Sequence, residues 1–183
     1  MAHRTTAELE PALPSLRAAP RREGSLDLLV RRPGAAEREV LEEGVLDEAL
    51  GLIGDDWLDR ATSRAVSEGR HLKAQLNVMS ARMVRLLADS PEEQALAGDQ
   101  LYVDLDLSHD NLPTGARLAI GPDAVIEVTD KPHNGCAKFE RRFGADALSF
   151  VNSPAGKELR LRGLNARVVS GGLVHPGDDV RRL

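Results

Sequence analysis

Arg117-Leu-Ala-Ile-Gly-Pro-Asp-Ala-Val-Ile-Glu-Val-Thr129 decides the fold class. Two short runs, 117–120 and 123–129, flank Gly121-Pro122-Asp123, a turn composition, and the second run alternates as a half-buried strand does. Pro113-Thr-Gly115 supplies a turn just before them. Runs of similar character recur at 100–105, 165–169 and 75–79, and Ser25 to Arg32 reads as a first strand stopped by Pro33-Gly34. Many short strands separated by Gly/Pro turns, with few helices, predict a mainly β protein. The expected form is a closed or half-closed, mostly antiparallel β-barrel.

The remaining segments are weaker in pattern. Residues 1–24 read as an N-terminal extension: Thr5-Thr-Ala-Glu8 has capping-box form, Pro11 and Pro14 interrupt the helix, and 18–24 is a linker by composition. Residues 25–183 then form one barrel domain. Within it, 38–44 reads as a second short strand or turn, with an acidic helix start as the competing reading. Residues 47–52 read as one helical turn, and 59–74 as a polar surface loop. Ser80 is placed to cap a helix over 81–88 that buries Met83, Val84 and Leu87. A single helical segment lies within 143–157, ended by Ser153-Pro154.

Composition narrows the function classes. A chain of 183 residues with 42% apolar content suits one domain that buries about 70% of its unfolded surface. Aromatics are 3%, so Leu, Val, Ile and Ala must fill the core. No run approaches the ~18 apolar residues of a membrane span and no signal-peptide pattern is present, so no membrane partner and a cytoplasmic location are expected. The net charge of −5, from 24 basic and 29 acidic residues, argues against nucleic acid as a partner. One cysteine cannot make an intramolecular disulfide, an iron–sulfur cluster or a cysteine-rich zinc site. Walker A, G-x-S-x-G and H-E-x-x-H patterns are absent.

That cysteine is the candidate centre of chemistry. Cys136 follows the loop Pro132-His133-Asn134-Gly135 and precedes Lys138, Arg141 and Arg142. A thiol reacts or binds metal as thiolate, and nearby cations stabilise that form. Several cations together also suit a phosphate. The competing reading of the three is a solvated helix start, and of Cys136 a small buried hydrophobe.

Set beside Leu112-Pro-Thr-Gly115-Ala-Arg-Leu-Ala-Ile-Gly121, the 125–144 stretch resembles the MOSC domain family, in particular its small stand-alone bacterial members. The resemblance includes Gly51-Leu-Ile-Gly54-Asp55 upstream and Gly171-Gly-Leu-Val174 with Gly177-Asp178 at the end, so it spans roughly 26–180. Cys136 to Gly144 is similar to a "C-x-K-[L/F]-x-x-R-F-G" run typical of those proteins. The resemblance implies a barrel of the pyruvate-kinase insert-domain kind, with Cys136 at its mouth. There Cys136 would be a ligand of molybdenum in a pterin cofactor or a persulfide carrier, with Lys138 and Arg142 near the cofactor's anionic end. Pyridoxal phosphate binding is implied only at family level. The match departs where cofactor-binding members carry an "R-x-N-L" segment. Gly98-Asp99-Gln100-Leu101 stands there, which brings a carboxylate in place of a guanidinium, at a cost on the order of 1 kcal/mol toward a phosphate. The family's "H-G-G" segment is replaced by Trp57-Leu-Asp-Arg60 and a longer loop, and Arg60 or Arg64 is a candidate to replace the missing guanidinium.

His133 is a candidate proton donor or thiol partner, against the reading of an exposed loop histidine. A zinc site would need His109, Asp110 and His175 as distant ligands. Asp55 is placed at the pocket rim, or in a tight turn whose backbone N–H groups it accepts; Trp57 is read as packing. Two functions follow. One is a molybdenum-dependent oxidoreductase acting on N-hydroxylated compounds, or a sulfurtransferase, with a small-molecule substrate or sulfur donor and a separate electron donor. The other is a non-catalytic binding module that has lost the cofactor.

Overall fold

The computed structural model describes residues 2–183. Eleven strands form among them: β1 (Glu23–Arg31), β2 (Glu39–Leu41), β3 (Gly44–Asp47), β4 (Gly51–Leu52), β5 (Leu76–Ser80), β6 (Leu101–Asp104), β7 (Arg117–Ile120), β8 (Ala124–Val128), β9 (Leu164–Ser170), β10 (Gly172–Val174) and β11 (Asp179–Arg182). Seven close on themselves in the order β1-β11-β7-β8-β9-β5-β6, with β2 added beside β1 and a small sheet β10-β3-β4 alongside. Closure removes the exposed edges of an open sheet. The 117–129 stretch is an antiparallel hairpin pairing Leu118 with Ile126 and Ile120 with Ala124 across Gly121 at φ +59°.

One pair, β5–β6, is parallel, and parallel neighbours need a crossover. Helices α4 (Ala81–Leu87) and α5 (Pro91–Ala95) make it. Ser80 Oγ accepts the Met83 N–H and Ser90 Oγ the Glu93 N–H, so each helix starts on a hydroxyl cap.

Strand alternation divides the core in two. Leu101, Val103, Leu118, Ile126, Leu164 and Val180 fill the barrel, while Tyr102 and Met79 face the helical layer. On β1, Leu26 and Leu29 share the barrel core although three positions apart, because a register shift between Leu26 and Leu28 reverses the alternation. The outer layer holds α1 (Thr6–Leu9), α2 (Leu13–Arg17), α6 (Ala137–Phe143), α7 (Ala145–Asn152) and α8 (Pro154–Glu158). The N-terminal residues bury Leu9 and Leu16 there, with the Thr5–Glu8 capping box formed.

Four expectations are corrected. Residues 47–52 are the β3–β4 turn and not a helical turn: Asp47 Oδ1 accepts the Ala49 and Leu50 N–H groups, Gly51 takes φ +70°, and β3 pairs with β10. The 59–74 segment contains α3 (Ser63–Ser67), capped by Thr62, and a 3₁₀ turn over Arg70–Ala74; both lie at the surface, so no apolar period marks them. The helix expected within 143–157 is α7, ended at Ser153 as expected, but a second short helix, α8, follows it in the same span. Gly144 at φ +93° separates α6 from α7, and Ser153-Pro154 starts α8 through Ser153 Oγ to Gly156 N. Last, β1 begins at Glu23, inside the presumed linker.

Candidate functional site

Helix α6 begins at Cys136 and sorts its residues by face. Phe139 and Phe143, one turn apart, are buried with ring centroids 5.0 Å from each other. Lys138, Arg141 and Arg142, at i, i+3 and i+4, share another face. All three line a cleft of about 350 Å³ whose far wall is Arg32, Arg38, Arg60 and the 34–36 loop. Six cations thus meet one carboxylate, Asp56, whose Oδ1 lies 2.9 Å from Arg60 Nε.

The cleft's charges are poorly compensated. Arg142 donates to the Leu96 carbonyl at 2.5 Å and Arg38 to the Glu37 carbonyl. Neither has a carboxylate partner among the described residues, and Arg38 Nε is buried with no acceptor. Burial pushes the Arg38 guanidinium pKa down, and the charges of Arg142, Arg32 and Arg60 push it the same way. Like charges ~7 Å apart repel by about 2 kcal/mol at an effective dielectric of ~20, so such a cluster suits an anion among it. Gly98 adjoins three of the cleft's arginines, Arg32, Arg38 and Arg142, without lining the cleft itself. Its φ is +87°, its carbonyl accepts Arg32 Nη1 at 3.0 Å, and a Cβ built there would lie 3.3 Å from nitrogens of both Arg142 and Arg38.

Two buried ion pairs underlie the cleft. Asp55, its side chain fully buried, accepts Arg32 Nε at 2.8 Å and Nη2 at 2.7 Å, and also the Arg32 and Trp57 N–H groups. The tight-turn reading of Asp55 describes its place; it is not at the rim, and it reaches the cleft only through Arg32. Asp99, also fully buried, accepts Arg162 Nη1 at 2.6 Å and His133 Nε2 at 2.7 Å. Burial alone would raise the Asp99 pKa, but Arg162 and His133 outweigh it and hold the group below its usual range. Asp99 is therefore turned into the fold and neutralised by Arg162, instead of confronting an anion. The Arg162 guanidinium also lies 5.1 Å over the Phe139 ring, tying this pair to α6.

His133 is not the exposed loop residue of the competing reading. Burial, with Arg162 beside it, lowers its pKa against the pull of Asp99, so the neutral ring donates Nε2–H to the carboxylate. Cys136 is exposed at the N-cap of α6. Partial burial would raise its pKa. The Phe139 and Lys138 N–H groups and the Arg162 and Lys138 charges prevail and bring the thiol below its ordinary value.

The candidate residues thus separate. Lys138, Arg141 and Arg142 converge in one cleft, Cys136 stands at the start of the same helix, and His133 and Asp55 are held in the ion pairs beneath. Arg60 joins the cleft, while Arg64 is exposed and paired with Glu68. His109, Asp110 and His175 are engaged by Arg160, Arg21 and Asp178, and no group of three metal-ligating side chains occurs among the described residues. Trp57 packs as expected, stacked 5.5 Å from His71. Sequence reasoning missed Arg32, Arg38 and Arg162. Nothing in their local sequence marked them; that Arg162 is buried is a fact of the fold.

The chain superposes on solved structures of the YuaD protein from Bacillus subtilis (TM-score 0.58, 18% identity, covering 86% of this chain and 94% of that one) and of YiiM from Geobacillus stearothermophilus (0.58, 14%, 88% and 75%). YiiM from Escherichia coli is similar at TM-score 0.53 and 20% identity, covering 87% and 69%. No family model matches the chain, and no curated protein matches it. The fold is the MOSC-type barrel, a closed seven-stranded mixed β-barrel with a few short helices. No described helix is long and apolar enough to cross a membrane.

Proposed function

We propose that this MOSC-like barrel binds an anionic small-molecule cofactor, its phosphate in the arginine cleft and its soft centre at Cys136. The observation that carries the reading is the convergence of Arg32, Arg38, Arg60, Lys138, Arg141 and Arg142 on one cleft beside an exposed thiol. A molybdenum pterin fits this donor set. Arg38 Nε lacks an acceptor that a phosphate oxygen would provide, and the bare backbone at Gly98 lets the Arg38 and Arg142 guanidinium groups lie close against it. A thiolate is a soft ligand for the metal. When bound, that group would supply two-electron reduction of N-hydroxylated compounds, with a separate electron donor.

In this reading Arg38, Arg141 and Arg142 orient the phosphate, and Lys138 serves both the phosphate and the thiolate. Asp55 holds Arg32 in place, and Asp99 does so for Arg162. His133 is a positioning residue: through Asp99 it fixes the loop that leads to Cys136. With persulfide in place of metal, the same thiol would carry sulfur from an external donor. A second reading, a binding module without cofactor chemistry, is favoured by one observation: the residues lining the cleft do not include Cys136.

The test is elemental analysis and cyanide-labile sulfur on protein from a cofactor-competent host. Wild type is expected to carry molybdenum or labile sulfur, and Cys136→Ser to lose it with the fold intact. Arg38→Ala and Arg142→Ala should weaken retention by roughly 1–3 kcal/mol each. If wild type carries neither and Cys136→Ser changes nothing, the binding module replaces the enzyme.

A further inference from the structure

A second hollow is lined by Arg162 and His133, the two partners of Asp99. It has a volume of about 240 Å³ and is formed by the 129–134 loop, the end of α8 and the start of β9. That is below the ~300–1,000 Å³ of drug-sized sites, so its occupant is small.

Its charges do not balance internally. Asp130, on its wall, is taken by Lys73 at 2.7 Å, and Arg162 is matched by Asp99. Lys131, Lys157 and Arg160 remain with no carboxylate partner among the described residues. Arg160 is held in a left-handed backbone conformation, φ +49°, with its Nη1 on the Leu112 carbonyl at 2.5 Å. A non-glycine residue there is strained, and such strain gathers at functional sites. The Arg162 side chain is only 8% exposed, and its Nε has no acceptor. A buried guanidinium donor without a partner costs free energy that an acceptor in the hollow would relieve. Pro132, Val151 and Leu164 give the same hollow an apolar wall.

We infer that this cavity binds a small organic carboxylate, its charge received by Lys157, Lys131 and Arg162 Nε and its body lying on Val151 and Leu164. A carboxylate suits it better than a phosphate. The apolar wall of Pro132, Val151 and Leu164 gains nothing from inorganic phosphate, whereas an organic carboxylate brings a body that covers it. Residues 131–134 line this cavity and residues 138, 141 and 142 line the arginine cleft, so Cys136 falls between the two in the chain.

The experiment is calorimetric titration of the full chain with benzoate and, separately, inorganic phosphate at low salt. Benzoate is expected to bind in the millimolar range or tighter. Lys157→Glu and Lys131→Glu, both exposed positions, should each weaken it at least tenfold, while Arg141→Glu in the other cleft leaves it unchanged. Failure of benzoate to bind overturns the inference. So does binding that is lost in Arg141→Glu but kept in Lys157→Glu, or phosphate displacing benzoate equally well in Arg141→Glu. No cofactor enters the measurement, so its outcome is separate from the molybdenum result.

Discussion

Arg32 and Arg162 differ from Arg38, Arg141 and Arg142 in what answers their charge. The first two are buried and each is matched by a fully buried aspartate, Asp55 or Asp99. The other three line the arginine cleft, Arg38 on one wall and Arg141 and Arg142 on the other, with carbonyls or nothing as partners. A matched buried guanidinium is part of the fold's framework. An unmatched cluster raises the energy of the empty protein and lowers it when an anion arrives. Burial alone does not separate framework from site; the counter-ion does.

The largest effect should come from breaking a matched pair. Asp99→Ala leaves Arg162 buried without its counter-charge and should cost about 3–5 kcal/mol in urea unfolding. Asp55→Ala should act similarly through Arg32. A loss under ~1 kcal/mol for either would erase the distinction between the two arginine groups.

The unmatched cluster should behave in the opposite sense. Arg38→Met removes a partly desolvated charge repelled by three neighbours, so the protein without ligand should be unchanged or more stable, by up to ~1 kcal/mol. The same variant should lose stabilisation by phosphate-bearing ligands in a thermal-shift series. Destabilisation comparable to Asp99→Ala would place Arg38 in the framework instead.

How much of this was legible in the sequence follows from the same contrast. The hairpin at 117–129, the cap at Ser80 and the buried Met83, Val84 and Leu87 were readable because local composition and pairing agree. Lys138, Arg141 and Arg142 were readable as a group because helical spacing gathers them. Their far wall was not: Arg32 and Arg38 both reach the cleft from the loop between β1 and β2, about a hundred residues earlier in the chain. The sign of Asp99 was misread for a similar reason. Its neighbours in sequence say nothing of Arg162, which lies 63 positions away and meets it only because β6 and β9 both pair with β5. The β3–β4 turn was missed because its partner, β10, lies near the other end of the chain.

A smaller effect is tied to His133. Its folded pKa is below the ordinary ~6.5, so the unfolded chain binds the proton more readily. The stability it contributes is complete above that ordinary value and is lost as pH falls from there toward the folded pKa. His109, lowered by burial and by Arg160, contributes in the same direction. His133→Gln, which keeps a donor toward Asp99, should flatten part of the decline between pH 7 and 5. An unaltered slope would mean that burial and Arg162 do not hold His133 neutral against the pull of Asp99.

The smallest expected effect sharpens the boundary between cleft and thiol. Lys138 lines the cleft and also bears on Cys136, whereas Arg141, on the same face, is absent from the influences on the thiol. The alkylation rate of Cys136 should titrate below the free-thiol value of ~8.5. Lys138→Ala should move that midpoint upward, and Arg141→Ala should leave it nearly in place. The shift should stay modest, because the Phe139 and Lys138 backbone N–H groups survive both substitutions and weigh more than the Lys138 charge. If Arg141→Ala moves the midpoint as far as Lys138→Ala does, the thiol responds to the cleft's total charge and not to a single neighbour. Cys136 would then belong electrostatically to the cleft whose wall it does not line.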